Sequence, residues 1–241
     1  MKARIEELDR QMTRMGELIL RRRLLPALDN QEVYEVKLGE EYLMSSLFHD
    51  AEVAMVRLGL ERVAQTPLDV VVGGLGLGYT AAAVLDYPGV RSLLVIEALD
   101  AVMDWHQRKL VPLGDRLVGD SRSRLIHGDF FAVAGPDGHG FDPELPDRKF
   151  HAILLDVDHS PSQWLSPLHA PFYETNGLHR LTAFLHRGGV FALWSNDPPE
   201  ETFIRKLETV FPQVRAEVVT FPNPLTDSKS ANTVYVAKIE G

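Results

Sequence analysis

The sequence contains no cysteine. Disulfides, thiolate metal sites and cysteine nucleophiles are therefore excluded. It also lacks an uninterrupted apolar run of membrane-spanning length, and its N-terminus is charged from Lys2 onward with no apolar export segment. A cytoplasmic protein with no membrane partner is the expectation. Positive charge is in deficit: 25 Lys and Arg stand against 34 Asp and Glu, a formal net charge of −9. Such a surface repels polyanions, which disfavours a nucleic-acid partner. Internal repeats and low-complexity tracts are missing as well. What is present is a 241-residue chain with 45% hydrophobic residues, enough for one large core or a core with a small appendage.

The most informative stretch is residues 69–80, Asp-Val-Val-Val-Gly-Gly-Leu-Gly-Leu-Gly-Tyr-Thr. A valine-rich strand runs into closely spaced glycines and then an alanine-rich helix. Gly74, Gly76 and Gly78 let the backbone turn sharply and approach a ligand closely. Glu97 ends the next apolar run, 19 residues beyond Gly78. An acid at that place can accept both hydroxyl hydrogen bonds of a ribose. The combination points to a nucleoside cofactor.

Ahead of this motif, Ile5, Leu8, Met12, Met15 and Ile19 recur at three- and four-residue spacings, which predicts an amphipathic helix ending near Leu25, before Pro26. Arg21, Arg22 and Arg23 then read as a solvated helix end. Residues 33–38 and 41–44 read as a hairpin around Gly39 and Glu40. Residues 47–64 carry a helical pattern. His49 and Asp50 near its start either cap that helix or line the cofactor cleft as substrate-binding groups.

From residue 68 strands and helices alternate. Strands are predicted at 69–73, 92–97, 124–127, 151–156 and 190–194, and helices at 77–86, from 101 towards 110, at 173–186 and at 200–210. Residues 135–149 form a Gly-, Pro- and Asp-rich excursion. Two last strands, 214–221 and 233–239, have no helix between them and pair antiparallel. The result is an α/β, Rossmann-like, seven-stranded methyltransferase fold with a short N-terminal helix and β-hairpin extension. Residues 1–65 make the extension and 66–241 the cofactor-binding domain.

Ligands in such sheets bind beyond the carboxyl ends of the strands. Asp129 follows a strand, where it either contacts an adenine amino group or caps a turn. Asp156, Asp158 and His159 are denser in ionisable groups than a turn requires. Asp156 can orient an amine or act as a general base. Asp158 and His159 serve as secondary catalytic candidates or belong to a helix-entry loop. No distant third ligand completes a metal site there, so no metal is expected. Trp194 ends the fifth strand and can wall the substrate pocket. Trp105 packs near the adenine side or in the core.

Taken together, these residues resemble the spermidine synthase family and its small bacterial relatives within the class I S-adenosylmethionine-dependent methyltransferase superfamily. The resemblance runs from Tyr34 to Ile239. The family's Gly-Gly-Gly-Asp-Gly-Gly turn falls on residues 73–78, its ribose-binding acid on Glu97, its adenine-side Asp on Asp129 and its catalytic Asp on Asp156. His49 and Asp50 resemble the family's Tyr-His-Glu segment. Gly76 stands where the family has the carboxylate that holds a cationic donor amine, and the N-terminal β-domain is reduced to one hairpin. Three functions follow as alternatives: methyl transfer from S-adenosylmethionine to a small, amine-containing acceptor, aminopropyl transfer from decarboxylated S-adenosylmethionine, and noncatalytic cofactor binding. The resemblance and the amphipathic N-terminus imply a homodimer.

Overall fold

A computed structural model describes residues 4–241. Among these residues the chain forms two sheets. The first, in the order β1-β2-β3-β4, is antiparallel and comprises β1 (Ile5–Thr13), β2 (Gly16–Leu25), β3 (Gln31–Leu38) and β4 (Glu41–Ser45). Then come α1 (Asp50–Leu60), β5 (Leu68–Gly73), α2 (Tyr79–Leu85), β6 (Val90–Glu97), α3 (Asp100–Gln107), α4 (Gly114–Gly119), β7 (Ser123–His127) and α5 (Phe130–Val133). They are followed by β8 (Phe150–Leu155), α6 (Thr175–Leu181), β9 (Leu185–Ser195), α7 (Glu201–Val210), β10 (Gln213–Asn223) and β11 (Ser228–Lys238).

The helix expected before Leu25 is instead the hairpin β1–β2. Ile5 and Met12, members of the expected apolar face, are 59% and 78% exposed, whereas Leu18 and Leu20 are fully buried. Two-residue alternation therefore outweighs the looser three- and four-residue spacing. Gly16, at φ 124°, makes the tight turn after Arg14 and Met15. The three arginines follow the same alternation. Arg21 and Arg23 reach Glu35 on β3 at 2.7 and 3.1 Å, while Arg22, on the other face, meets Glu6 on β1 and lies 3.6 Å from Glu32. They lace the sheet together across its strands and do not end a helix.

The second sheet has the order β10-β11-β9-β8-β5-β6-β7. Strands β5 to β9 run parallel, and β11 is antiparallel to both β9 and β10. This is the seven-stranded arrangement with a closing antiparallel pair. One predicted helix shrinks: residues 173–186 hold only α6 between 3-10 turns, because β9 begins at Leu185, and Gly188 and Gly189 lie inside that strand. Chain order reverses between β5 and β8, so the cleft opens at their carboxyl ends.

Strands buried on both faces divide their side chains between two cores. Val70 and Val72 join Met55, Leu60, Val84 and Trp105 on one side, and Val71 joins Phe130, Phe172 and Leu207 on the other. Leu18, Leu20 and Val36 of the small sheet belong to the first of these cores. Asp9 on β1 also accepts a 2.7 Å hydrogen bond from the Trp105 indole on α3. The small sheet is thus welded to the large one. Leu20→Ala should lower unfolding free energy by about 2–5 kcal/mol in a single denaturant transition; a loss below about 1 kcal/mol, or two separate transitions, would show that the sheets are stabilised independently.

Candidate active site

At the end of β5 the chain passes close against the end of β8, its parallel neighbour. Gly74 adopts φ 94°, and a Cβ there would lie 2.0 Å from the Asp156 carbonyl oxygen. Only glycine fits such a close approach. The Asp156 amide donates to the Gly73 carbonyl at 2.8 Å, which ties the two strand ends together. Gly76 has φ 49°, and a Cβ there would come within 3.1 Å of the Met44 sulfur. The small sheet therefore roofs the glycine turn with a thioether. From beneath, His106 bonds the Gly76 carbonyl through Nε2 at 2.9 Å.

A cavity of about 490 Å³ opens over this contact. Gly74, Gly76, Gly78, Glu97 and Asp129 all line it. Glu97 is buried, and each of its oxygens accepts one backbone amide: Leu75 at 3.0 Å and Leu99 at 2.8 Å. Burial raises its pKa, and the backbone donors pull it back. The amides of Gly76 and Ala98 add to this pull, and the carboxylate they surround still lines the cavity. Asp129 caps α5, accepting from the Phe131 and Ala132 amides at 3.0 and 3.3 Å, with its other oxygen 3.7 Å from Arg14. Capping and facing the cavity are both true of it.

Two further acids face the cavity from the other side. Asp156 accepts the Thr80 hydroxyl at 2.6 Å, and Glu52 projects from the first turn of α1. Loss of solvent pushes Glu52 up to about 8, helped by the charge of Asp156. Asp156 is raised to about 6 by the same burial, opposed by the Thr80 hydrogen bond. His159 lines the cavity and pairs with Glu41 at 3.4 Å; Trp194 also lines it, with its indole N–H buried and unpartnered among the described residues.

Three candidates named from the sequence are placed elsewhere. Asp158 lies behind the cavity wall with its side chain fully buried. His49 stacks on Tyr79 with ring centroids 4.2 Å apart, and Asp50 is exposed at the start of α1. His49 is the residue that precedes α1 and Asp50 its first, while Glu52 in the same turn lines the cavity. Phe48, just ahead of α1, lines it as well. His169, a further wall residue, sits in a Pro-flanked 3-10 turn that carries no sequence signal. At the far end of the sheet, Asp69, His151 and His186 bring ligand atoms within 4.8 Å of one another. The Asp69 carboxylate is already committed to Arg91, Arg148 and Ser92, and His151 Nδ1 accepts the Asp69 amide, so the cluster is a satisfied ion-pair network.

This geometry can be set beside solved structures. The chain has the fold of the spermidine synthases. Spermidine synthase from Thermotoga maritima superposes with a TM-score of 0.69 at 17% identity, covering 96% of this chain and 72% of that one. A spermidine synthase in complex with the transition-state analogue AdoDATO gives 0.68 at 16% identity, covering 96% and 73%. Human methyltransferase-like protein 13 in complex with SAH gives 0.51 at 20% identity, covering 79% of each chain. No family description and no curated protein matches the sequence. The spermidine synthase fold thus extends over both sheets, whereas the likeness to the methyltransferase covers less of the chain. Among the described residues no helix is long and apolar enough to cross a membrane.

The carboxylate pair has a consequence for stability. A carboxyl whose folded pKa lies above its unfolded value favours the fold while protonated and loses that advantage as pH rises towards the folded pKa. For Glu52 the window runs from 4.5 to about 8. Glu52→Gln should therefore raise the unfolding midpoint of ligand-free protein at pH 8 by at least about 2 °C, and by much less at pH 5. Equal shifts at both pH values would mean that Glu52 ionises freely in the fold.

Proposed function

We propose that the chain is a transferase that moves a group from an S-adenosylmethionine-type donor to a small amine, with methyl transfer as the leading reaction. The observation that carries this reading is the Glu52–Asp156 pair, set in the same cavity as the glycine turn and Glu97. Two crowded carboxylates are relieved by a cation, so the site favours an acceptor that arrives as an ammonium. Glu97 accepts from the ribose diol, and Asp129 stands on the base side. These groups fit the donor, which supplies a carbon activated by an adjacent sulfonium.

The chain's own task is alignment and proton removal. Asp156, positioned by Thr80, takes the ammonium proton and frees the nitrogen lone pair. That pair forms the new N–C bond as the C–S bond breaks, and its electrons return to sulfur. Methyl transfer is preferred because Gly76 supplies no carboxylate for a donor amine, and Met44 occupies the space above it. Aminopropyl transfer is the second reading, favoured by a likeness to spermidine synthases that takes in the four-stranded sheet. A homodimer and a cytoplasmic setting accompany either reading, and light scattering checks the first.

Purified protein should be offered S-adenosylmethionine and decarboxylated S-adenosylmethionine with a panel of amines, and the products followed by mass spectrometry. A 14-dalton gain with S-adenosylhomocysteine, about one methylene in mass, supports methyl transfer. Methylthioadenosine with an aminopropyl adduct overturns it, and binding without product leaves the noncatalytic alternative. Turnover should rise with pH between about 6 and 8 as the two carboxyls lose their protons. Asp156→Asn should flatten that rise while changing S-adenosylhomocysteine affinity by less than about threefold. In calorimetry, Glu97→Gln should weaken S-adenosylhomocysteine by about 1.5–3 kcal/mol; unchanged affinity removes Glu97 from the donor site.

A further inference from the structure

Asp158 is sealed from the cavity, yet it controls a residue that lines it. Three donors converge on its carboxylate: the Leu165 amide at 2.8 Å, the Tyr173 hydroxyl at 2.8 Å and His169 Nδ1 at 2.8 and 3.0 Å. A carboxylate only accepts, so Nδ1 must carry a proton. In the neutral ring, Nε2 is then a bare acceptor. His169 is 8% exposed and lines the cavity, and among the described residues no hydrogen bond reaches Nε2.

The position of the ring indicates what it faces. Its plane stacks on Phe131, with centroids 3.8 Å apart and planes 15° from parallel. Phe131 belongs to α5, which Asp129 caps and which follows the outer strand β7, next to β6 and Glu97. Glu52 comes from α1, which packs against β8, β9, β10 and β11 on the opposite half of the sheet. His169 is therefore pinned by Asp158, beyond β8, and pressed against the Asp129–Phe131 wall that the donor reading assigns to the base.

We propose that His169 reads the purine of the donor. Its Nε2 accepts a hydrogen from the exocyclic 6-amino group, and Asp158 is the positioning residue that holds the required tautomer. This rests on the donor reading given above. An amino group has two hydrogens, and Asp129 is a second acceptor on the same wall. A 6-oxo purine would turn an acceptor oxygen towards the bare Nε2, and it is rejected because neither group can donate.

The test compares S-adenosylhomocysteine with S-inosylhomocysteine, its 6-oxo counterpart, by calorimetry at pH 8 on the full chain. Wild type should prefer the adenosyl compound by at least about 30-fold. His169→Phe keeps a ring against Phe131 but removes the acceptor, and should cut that preference at least about tenfold. His169→Gln, whose carbonyl can accept, should retain part of it. Asp158→Asn can donate to Nδ1 and release the tautomer, which should move preference towards the inosyl compound. Long-range proton–nitrogen NMR of wild type should show the Nδ1–H tautomer, with Nε2 shifting on adenosyl binding and not on addition of the inosyl compound. If Asp158→Asn does not fold, His169→Phe and the NMR signature decide. Wild-type affinities within about threefold of each other, or full preference in His169→Phe, overturn the role of His169 and leave the donor reading standing. Binding of neither compound overturns both.

Discussion

The close approach of the chain at the ends of β5 and β8 is the constraint on which the site depends. Chain order reverses between these two parallel strands, so their ends diverge to opposite halves of the sheet and leave a crevice. The Gly74 backbone passes under the Asp156 carbonyl at a distance that no side chain tolerates. That contact fixes the glycine turn and the catalytic candidate relative to each other before any ligand arrives. Glu97, two elements later, is drawn in by the same turn, because it accepts the Leu75 amide that the turn leaves unpaired.

Around this contact the charges are divided. The side proposed for the nucleoside holds Glu97 and Asp129, whose carboxylates are partly satisfied by backbone amides. The side proposed for the acceptor holds Glu52 and Asp156, both shielded from water, with the charge of Asp156 raising Glu52 further. Electrostatic strain of this kind is tolerated where a ligand relieves it. The small sheet completes the enclosure. Met44 lies over Gly76, the hairpin tip brings Arg14 towards Asp129, and the Asp9–Trp105 bond fastens the arrangement to α3.

Most of the large sheet was legible in the sequence. Valine-rich runs, glycine turns and acids at strand ends are local signals, and the missing helix between the last two strands marked their antiparallel pairing. Of the small sheet, the β3–β4 hairpin was legible and the β1–β2 hairpin was not. Its β1 pattern matches a helix and a strand almost equally well, and the choice was made by partners: Leu18 and Leu20 against the main core, and the arginine triplet against Glu6, Glu32 and Glu35. The candidate site divides in the same way. The glycines, Glu97, Asp129, Asp156, His159 and Trp194 reach the cavity, but His49 is held against Tyr79 ahead of α1 and Asp50 is exposed at the helix start.

The sequence by itself determined the strand–glycine–helix unit and the acids that follow each strand, since these depend on residues within a turn or two of one another. Tertiary structure alone decided which of those acids act together. Glu52 meets the field of Asp156 across 104 positions of chain, Met44 covers Gly76 from a separate sheet, and Asp158 turns inward to hold His169 rather than outward to the cavity. The physical reason is that a carboxyl's role is set by its solvent exposure and its partners, and distant segments supply both only after the chain has packed.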